Sequence, residues 1–176
     1  MSIKIRENAN RVLVCFGGSD LRNMTPKVIK ALCTIDNVEL SVVLGRYTKC
    51  DEYVRTFSAD NIKIYKNPIS MVEIMRNCDI AVTAAGSMIY ELAALGMPTI
   101  TITQADNQLL IADYLNKNNL MKNIGDWQNV DFDYLKNEAI VLLSNYDRRK
   151  AEAEKLVKTV DKNGAVSVVK NVLTYQ

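Results

Sequence analysis

The chain has 176 residues, enough for one domain, and its 48% hydrophobic content can bury a sizeable core without disulfides or metal. Its 22 Lys and Arg against 20 Asp and Glu leave a net charge of +2 spread along the chain, which argues against a dedicated nucleic-acid surface. Histidine is absent, so a Ser-His or Cys-His mechanism within these residues is excluded; catalysis here would need carboxylates, Lys, Tyr or Cys alone.

Residues 1–10 are polar and read as a linker or tail ahead of a single domain over 11–176. Short β-branched apolar runs at 11–16, 38–44, 62–65, 79–83 and 98–103 read as strands, each bounded by turn residues. Between them, 26–32, 51–58, 71–77, 88–95 and 107–117 repeat apolar residues three and four apart and read as helices. A sixth strand is expected near 121–124, followed by helices at 134–143, 147–160 and 165–173, with Gly164 separating the last two. Strict alternation of strand and helix implies an α/β fold: a three-layer, doubly wound, Rossmann-like sheet of about six parallel strands.

Local chemistry marks several boundaries. Thr25-Pro26 reads as a hydroxyl cap before a proline in the first helical position, Ser70 to Glu73 as a capping box, and Gly96 as a helix stop. The run Arg148-Arg149-Lys150, answered by Glu152 and Glu154, reads as a solvated helix face. Cys15, Cys33, Cys50 and Cys78 form no C-x-x-C pair, so they read as reduced, mostly buried thiols with no metal site or cofactor. Without an N-terminal signal or an apolar run approaching the ~20 residues of a membrane span, the expected location is the cytoplasm.

Three loops follow strand carboxyl ends, where a doubly wound sheet binds ligands. Gly17-Gly18-Ser19-Asp20 allows close backbone approach to a phosphate, and Asp20 can accept from a sugar hydroxyl; a plain turn, with Ser19 and Asp20 serving their own backbone, is the competing reading. In Ala85-Gly86-Ser87-Met88-Ile89-Tyr90-Glu91, Ser87 is placed to begin a helix whose unpaired amides attract an anion. Glu91, one turn on, lies where a carboxylate meets the hydroxyls of a ribose, or else serves as a solvated first-turn acid. Gln104 to Gln108 offers amides suited to a polyhydroxylated ligand, with Asp106 as an ordinary helix cap the alternative. Gly-x-Gly-x-x-Gly and Gly-x-x-x-x-Gly-Lys-Ser/Thr are both absent, which disfavours nicotinamide and P-loop enzymes.

These elements, Val14 to Asp20 with Asn23, then Asp79 to Glu91, Gly96-Met97-Pro98 and Asn107-Gln108, resemble the C-terminal, nucleotide-sugar-binding half of GT-B glycosyltransferases. The resemblance is nearer still to the UDP-sugar hydrolase of pseudaminic acid synthesis and its spore-coat polysaccharide relatives. It implies a UDP-sugar ligand, with Ala85, Gly86, Ser87 and Met88 at the diphosphate, Glu91 at the ribose and the backbone around Ile69 at the uracil. Gly18, Ser19, Asp20, Asn107 and Gln108 would face the β-phosphate and sugar, with Gly17 also among the nucleotide-binding residues. It further implies a partner: an N-terminal GT-B half that carries the catalytic base, in cis or in trans, without which the chain binds UDP weakly and turns nothing over. The alternative is a nucleotide-binding or regulatory subunit that completes a partner chain.

Overall fold

The computed structural model describes residues 3–57, 59–161 and 163–174. Six strands form one parallel sheet: β1 (Arg11–Cys15), β2 (Glu39–Leu44), β3 (Ile62–Lys66), β4 (Ile80–Ala84), β5 (Thr99–Thr103) and β6 (Lys122–Asp126), in the order β3-β2-β1-β4-β5-β6. This is the doubly wound arrangement expected from the alternation, and β1 and β4, whose order reverses the winding, are neighbours at its centre. β4 and β5 are buried at every position, as inner strands covered on both faces must be, whereas the edge strands β3 and β6 are only partly buried.

Helices cover both faces. On one side α1 (Met24–Leu32), α2 (Asp51–Arg55) and α6 (Phe132–Ser144) meet Val12, Val14, Leu40, Val42, Ile80, Val82, Ile100 and Ile102. On the other, α3 (Met71–Arg76), α4 (Met88–Leu95), α5 (Leu109–Lys117) and α7 (Tyr146–Thr159) meet Leu13, Cys15, Val43 and Ala81. Successive strand residues thus feed opposite cores, the two-residue period of a pleated strand. A last helix, α8 (Gly164–Thr174), contributes no buried residue.

Gly96 ends α4 in the left-handed conformation, φ +71°, with its amide and that of Met97 closing onto Ala93 and Leu92. A β-carbon there would stand 2.9 Å from Val157 Cγ1, so the same residue also permits α7 to pack closely.

Several local expectations are corrected. Thr25 does not cap α1; the helix begins at Met24, and Thr25 is a buried first-turn residue. Ser70 stands at the cap of α3 without making a side-chain bond, so the capping box with Glu73 is not closed. Asp106 begins a single 3-10 turn, Asp106–Gln108, ahead of α5 and makes no side-chain cap. Helix 51–58 is shorter than expected, Asp51–Arg55, and Ser58 lies outside the described residues.

The largest correction is Arg149. It is wholly buried, and it donates from Nη1 to the carbonyls of Leu142 (2.8 Å) and Leu143 and from Nη2 to those of Arg6 (2.8 Å) and Glu7 (3.1 Å). Its neighbour Arg148 is half-buried between Glu138 and Glu152. Arg148 and Arg149 therefore form a joint between α6, α7 and the first residues, while Lys150 and Glu154 stay on the solvated face.

Residues 3–10, read as a linker or tail, lie against the domain. Ile3 is buried and its amide donates to Leu95, while Arg6 pairs with the buried carboxylate of Asp79 at 2.6 Å. Asp79 also accepts from the amides of Asn10 and Arg11, which fixes the entry into β1 from the start of β4. Met1 and Ser2 lie outside the described residues.

Candidate functional site

A cleft of about 830 Å³ opens at the carboxyl ends of the strands, over the β1/β4 junction. Of the residues singled out in the sequence, Gly17, Gly18, Ser19, Gly86, Ser87, Met88, Glu91, Asn107 and Gln108 line it; Asp20, Ile69 and Ala85 do not.

The loop after β1 turns at Gly17, φ +79°. Asp20 follows in the same left-handed region and swings inward: at 3% exposure its Oδ1 accepts from Met24 N (2.9 Å) and its Oδ2 from Thr25 N (2.8 Å). Those are two of the orphan amides of α1, so Asp20 acts as that helix's cap from outside the usual position. The expected sugar contact is replaced by this local role, which the alternative reading of the loop anticipated.

The loop after β4 delivers the start of α4 to the cleft. Ala85 is buried and its amide is engaged by the Ile102 carbonyl, so Ala85 anchors the loop to β5. Among the described residues, the amides of Gly86, Ser87 and Met88 have no backbone acceptor. Ser87 stands at the cap of α4 with helical φ and ψ, and its hydroxyl makes no capping bond. Glu91, one turn in, is exposed to the cleft with neither a hydrogen bond nor an ion pair to any described residue. Three free amides and a helix dipole beside an unpaired carboxylate can hold an anion carrying neighbouring hydroxyls.

From β5, Gln108 folds back so that its Oε1 accepts from Gln104 N at 2.9 Å, which leaves its Nε2 as a donor. That nitrogen lies 3.6 Å from the place a β-carbon on Gly86 would take, so the β4 and β5 loops touch. Asn107 is exposed beside it.

The β3 side is formed by Asn67, Pro68 and Met71, while the Ile69 side chain between them faces solvent entirely.

The cleft wall contains residues not singled out in the sequence. Gly45, after β2, comes so near Gly18 that a β-carbon on it would fall 2.4 Å from Gly18 Cα, and the Tyr47 amide donates to the Gly18 carbonyl. The glycine following a strand was the available signal. Arg22 and Arg46 also line the cleft and stack on Trp127 (4.3 Å) and Tyr47 (6.0 Å); with Glu91 they are its charged lining. Single arginines in loops carry no pattern that would mark them.

Cys15 lies in the floor. Burial pushes its thiol up to about 11, so it holds its proton at neutral pH and is no nucleophile. No group of three or more His, Cys, Asp or Glu able to hold a metal ion occurs among the described residues, and no described helix is long and apolar enough to cross a membrane.

Solved structures share this architecture. MurG of Acinetobacter baumannii superposes with a TM-score of 0.74 at 18% identity, over 97% of this chain and 55% of that one. The spinosyn rhamnosyltransferase SpnG, complexed with thymidine diphosphate, gives 0.70 at 20% identity, over 88% of this chain and 42% of that one. The fold is that of one half of a GT-B glycosyltransferase.

Among curated proteins, the chain is 36% identical over 121 residues to the uncharacterized protein MJ1062 of Methanocaldococcus jannaschii, 65% of this chain and 25% of that protein. It is 25% identical over 113 residues to the spore coat polysaccharide biosynthesis protein SpsG of Bacillus subtilis, 61% and 33% of the two chains. Over 108 residues it is 28% identical to the pseudaminic acid cytidylyltransferase and UDP-2,4-diacetamido-2,4,6-trideoxy-beta-L-altropyranose hydrolase of Helicobacter pylori, 60% and 19% of the two chains. The matches span a third or less of those relatives' lengths. The family model described as "Protein of unknown function (DUF354)" matches residues 6–172, nearly the whole of the domain built around this cleft, and the chain belongs to that family.

Proposed function

We propose that this domain is the donor-binding half of an enzyme acting on a UDP-activated sugar, by hydrolysis or glycosyl transfer, in the synthesis of cell-surface polysaccharide or nonulosonic acid. One observation carries the reading: the free amides of Gly86, Ser87 and Met88, with the Ser87 hydroxyl, share the cleft with the unpaired carboxylate of Glu91. The amides take the diphosphate and Glu91 takes the ribose hydroxyls. The backbone around Ile69, beside Asn67 and Pro68, takes the uracil. Gly17, Gly18, Ser19, Asn107 and Gln108 face the β-phosphate and sugar. The functions that SpsG and the Helicobacter protein are named for, and the thymidine diphosphate bound to SpnG, support this assignment.

Chemically, this half holds a leaving group. As the sugar C1–O bond breaks, negative charge grows on the diphosphate, and fixed amide dipoles stabilise it without reorganising. On this reading the proton-transfer group belongs to a second GT-B half, in the same chain or in another: these residues hold no histidine, the buried Cys15 keeps its proton, and Glu91 is committed to the ribose.

Calorimetric titration with UDP, UMP, CDP, GDP and NAD tests the assignment. UDP binds tightest, with UMP weaker for want of the β-phosphate. Equal affinity across the panel, or a preference for NAD, contradicts it.

A further inference from the structure

The sugar end of the cleft, taken with the reading above, has a charge that sequence reasoning did not foresee. Among the described residues the one acid lining the cleft, Glu91, stands on α4, and Asp20 is turned inward to cap α1. In its place is Arg22, two residues further along the same loop, whose guanidinium carbon lies 4.3 Å from the Trp127 ring centroid. Trp127 is tied to the carboxyl end of β5 by its amide bond to Thr103 (2.9 Å), so Arg22 is held over the side from which Gln104, Asn107 and Gln108 rise.

Among the described residues Arg22 has no acid partner; it stands over the indole and enters none of their ion pairs. The neighbouring amides add donors. Gln108 has spent its oxygen on Gln104 N, which leaves Nε2 as a donor, and Gln104 Nε2, shielded from solvent, has no acceptor among the described residues. Neutral sugar hydroxyls need acceptors as well as donors, whereas a guanidinium flanked by carboxamide N–H groups matches a group that only accepts and is charged. The cation–π contact with the indole favours this position of the guanidinium, whose fork matches a carboxylate.

We propose that the sugar accepted here carries a carboxylate, as in a hexuronic acid, and that Arg22 reads it. The proposal rests on the nucleotide assignment and names the substrate class of that same site.

The test compares UDP-glucuronic acid with UDP-glucose, and UDP-galacturonic acid with UDP-galactose, by calorimetry. Wild type binds at least one acidic donor about tenfold or more tighter than its neutral counterpart, the scale of one charge-assisted pair. Arg22→Ala removes that preference by weakening the acidic donor alone. Arg22→Lys, which keeps charge and loses the fork, retains part of it, and Lys27→Ala, on an exposed residue outside the cleft, leaves the preference as in wild type. Equal affinity for acidic and neutral donors in both pairs overturns the proposal, as does a preference that survives in Arg22→Ala. Failure of wild type to bind UDP itself overturns the nucleotide assignment, and this proposal falls with it.

Discussion

At the scale of single residues, Asp20 and Arg149 spend side chains of obvious chemical promise on the protein's own backbone. Asp20 offers its two oxygens to two amides of α1, so Asp20→Ala is expected to cost about 1–2 kcal/mol, the value of a lost helix cap. A lower urea midpoint at unchanged slope is the readout. Arg149 holds four carbonyls away from water, and Arg149→Leu leaves all four without donors. Its cost is expected at about 3 kcal/mol or more, on the same readout. Cys15 and Cys78 make a third case, because burial raises both thiols to about 11. Since the folded pKa exceeds the unfolded value near 9, the native state keeps protons that the unfolded chain releases. Stability therefore falls as pH rises from about 9 to 11, by up to ~1.4 kcal/mol per pH unit for each thiol. Urea midpoints at pH 8 and pH 10.5 check this, and Cys15→Ala is expected to flatten the slope.

Elements were legible where pattern decides them. β-Branched runs and three-four spacing located the strands and helices that build the sheet, because an alternating chain that must bury two faces has few other solutions. Helix starts were less legible. Thr25, Ser70 and Asp106 each carry a cap-forming side chain, yet none caps, since a cap depends on the path by which the chain enters the helix. Asp20 caps from four residues before Met24 because Asp20 and Asn23 both take positive φ, a bend no spacing rule describes. The loops of the site were legible as positions after strands, whereas the contact of Gly45 with Gly18, between loops of different strands, was not. That contact yields a prediction at this scale. Gly45→Ala forces its methyl into the Gly18 backbone, so the β1 loop must shift, and UDP affinity is expected to fall several-fold while the fold persists. Far-ultraviolet circular dichroism beside calorimetry separates the two effects.

On the scale of the whole molecule, the chain has the architecture of one GT-B half, and on the proposed reading the acid in its cleft, Glu91, serves the ribose while the proton-transfer group belongs to the other half. The domain is accordingly expected to bind UDP and to release no UDP from a UDP-sugar when incubated alone. In the proposed function, preference for a nucleotide over a bare anion is assigned to the carboxylate one turn into α4. Two ribose hydroxyls donating to a charged acceptor contribute about 1.5–3 kcal/mol each before desolvation is subtracted. The most direct measurement is the UDP dissociation constant of wild type against Glu91→Ala. A ten- to hundredfold weakening, with inorganic pyrophosphate binding unaltered, is the result this account predicts. Unchanged UDP affinity in Glu91→Ala would contradict it.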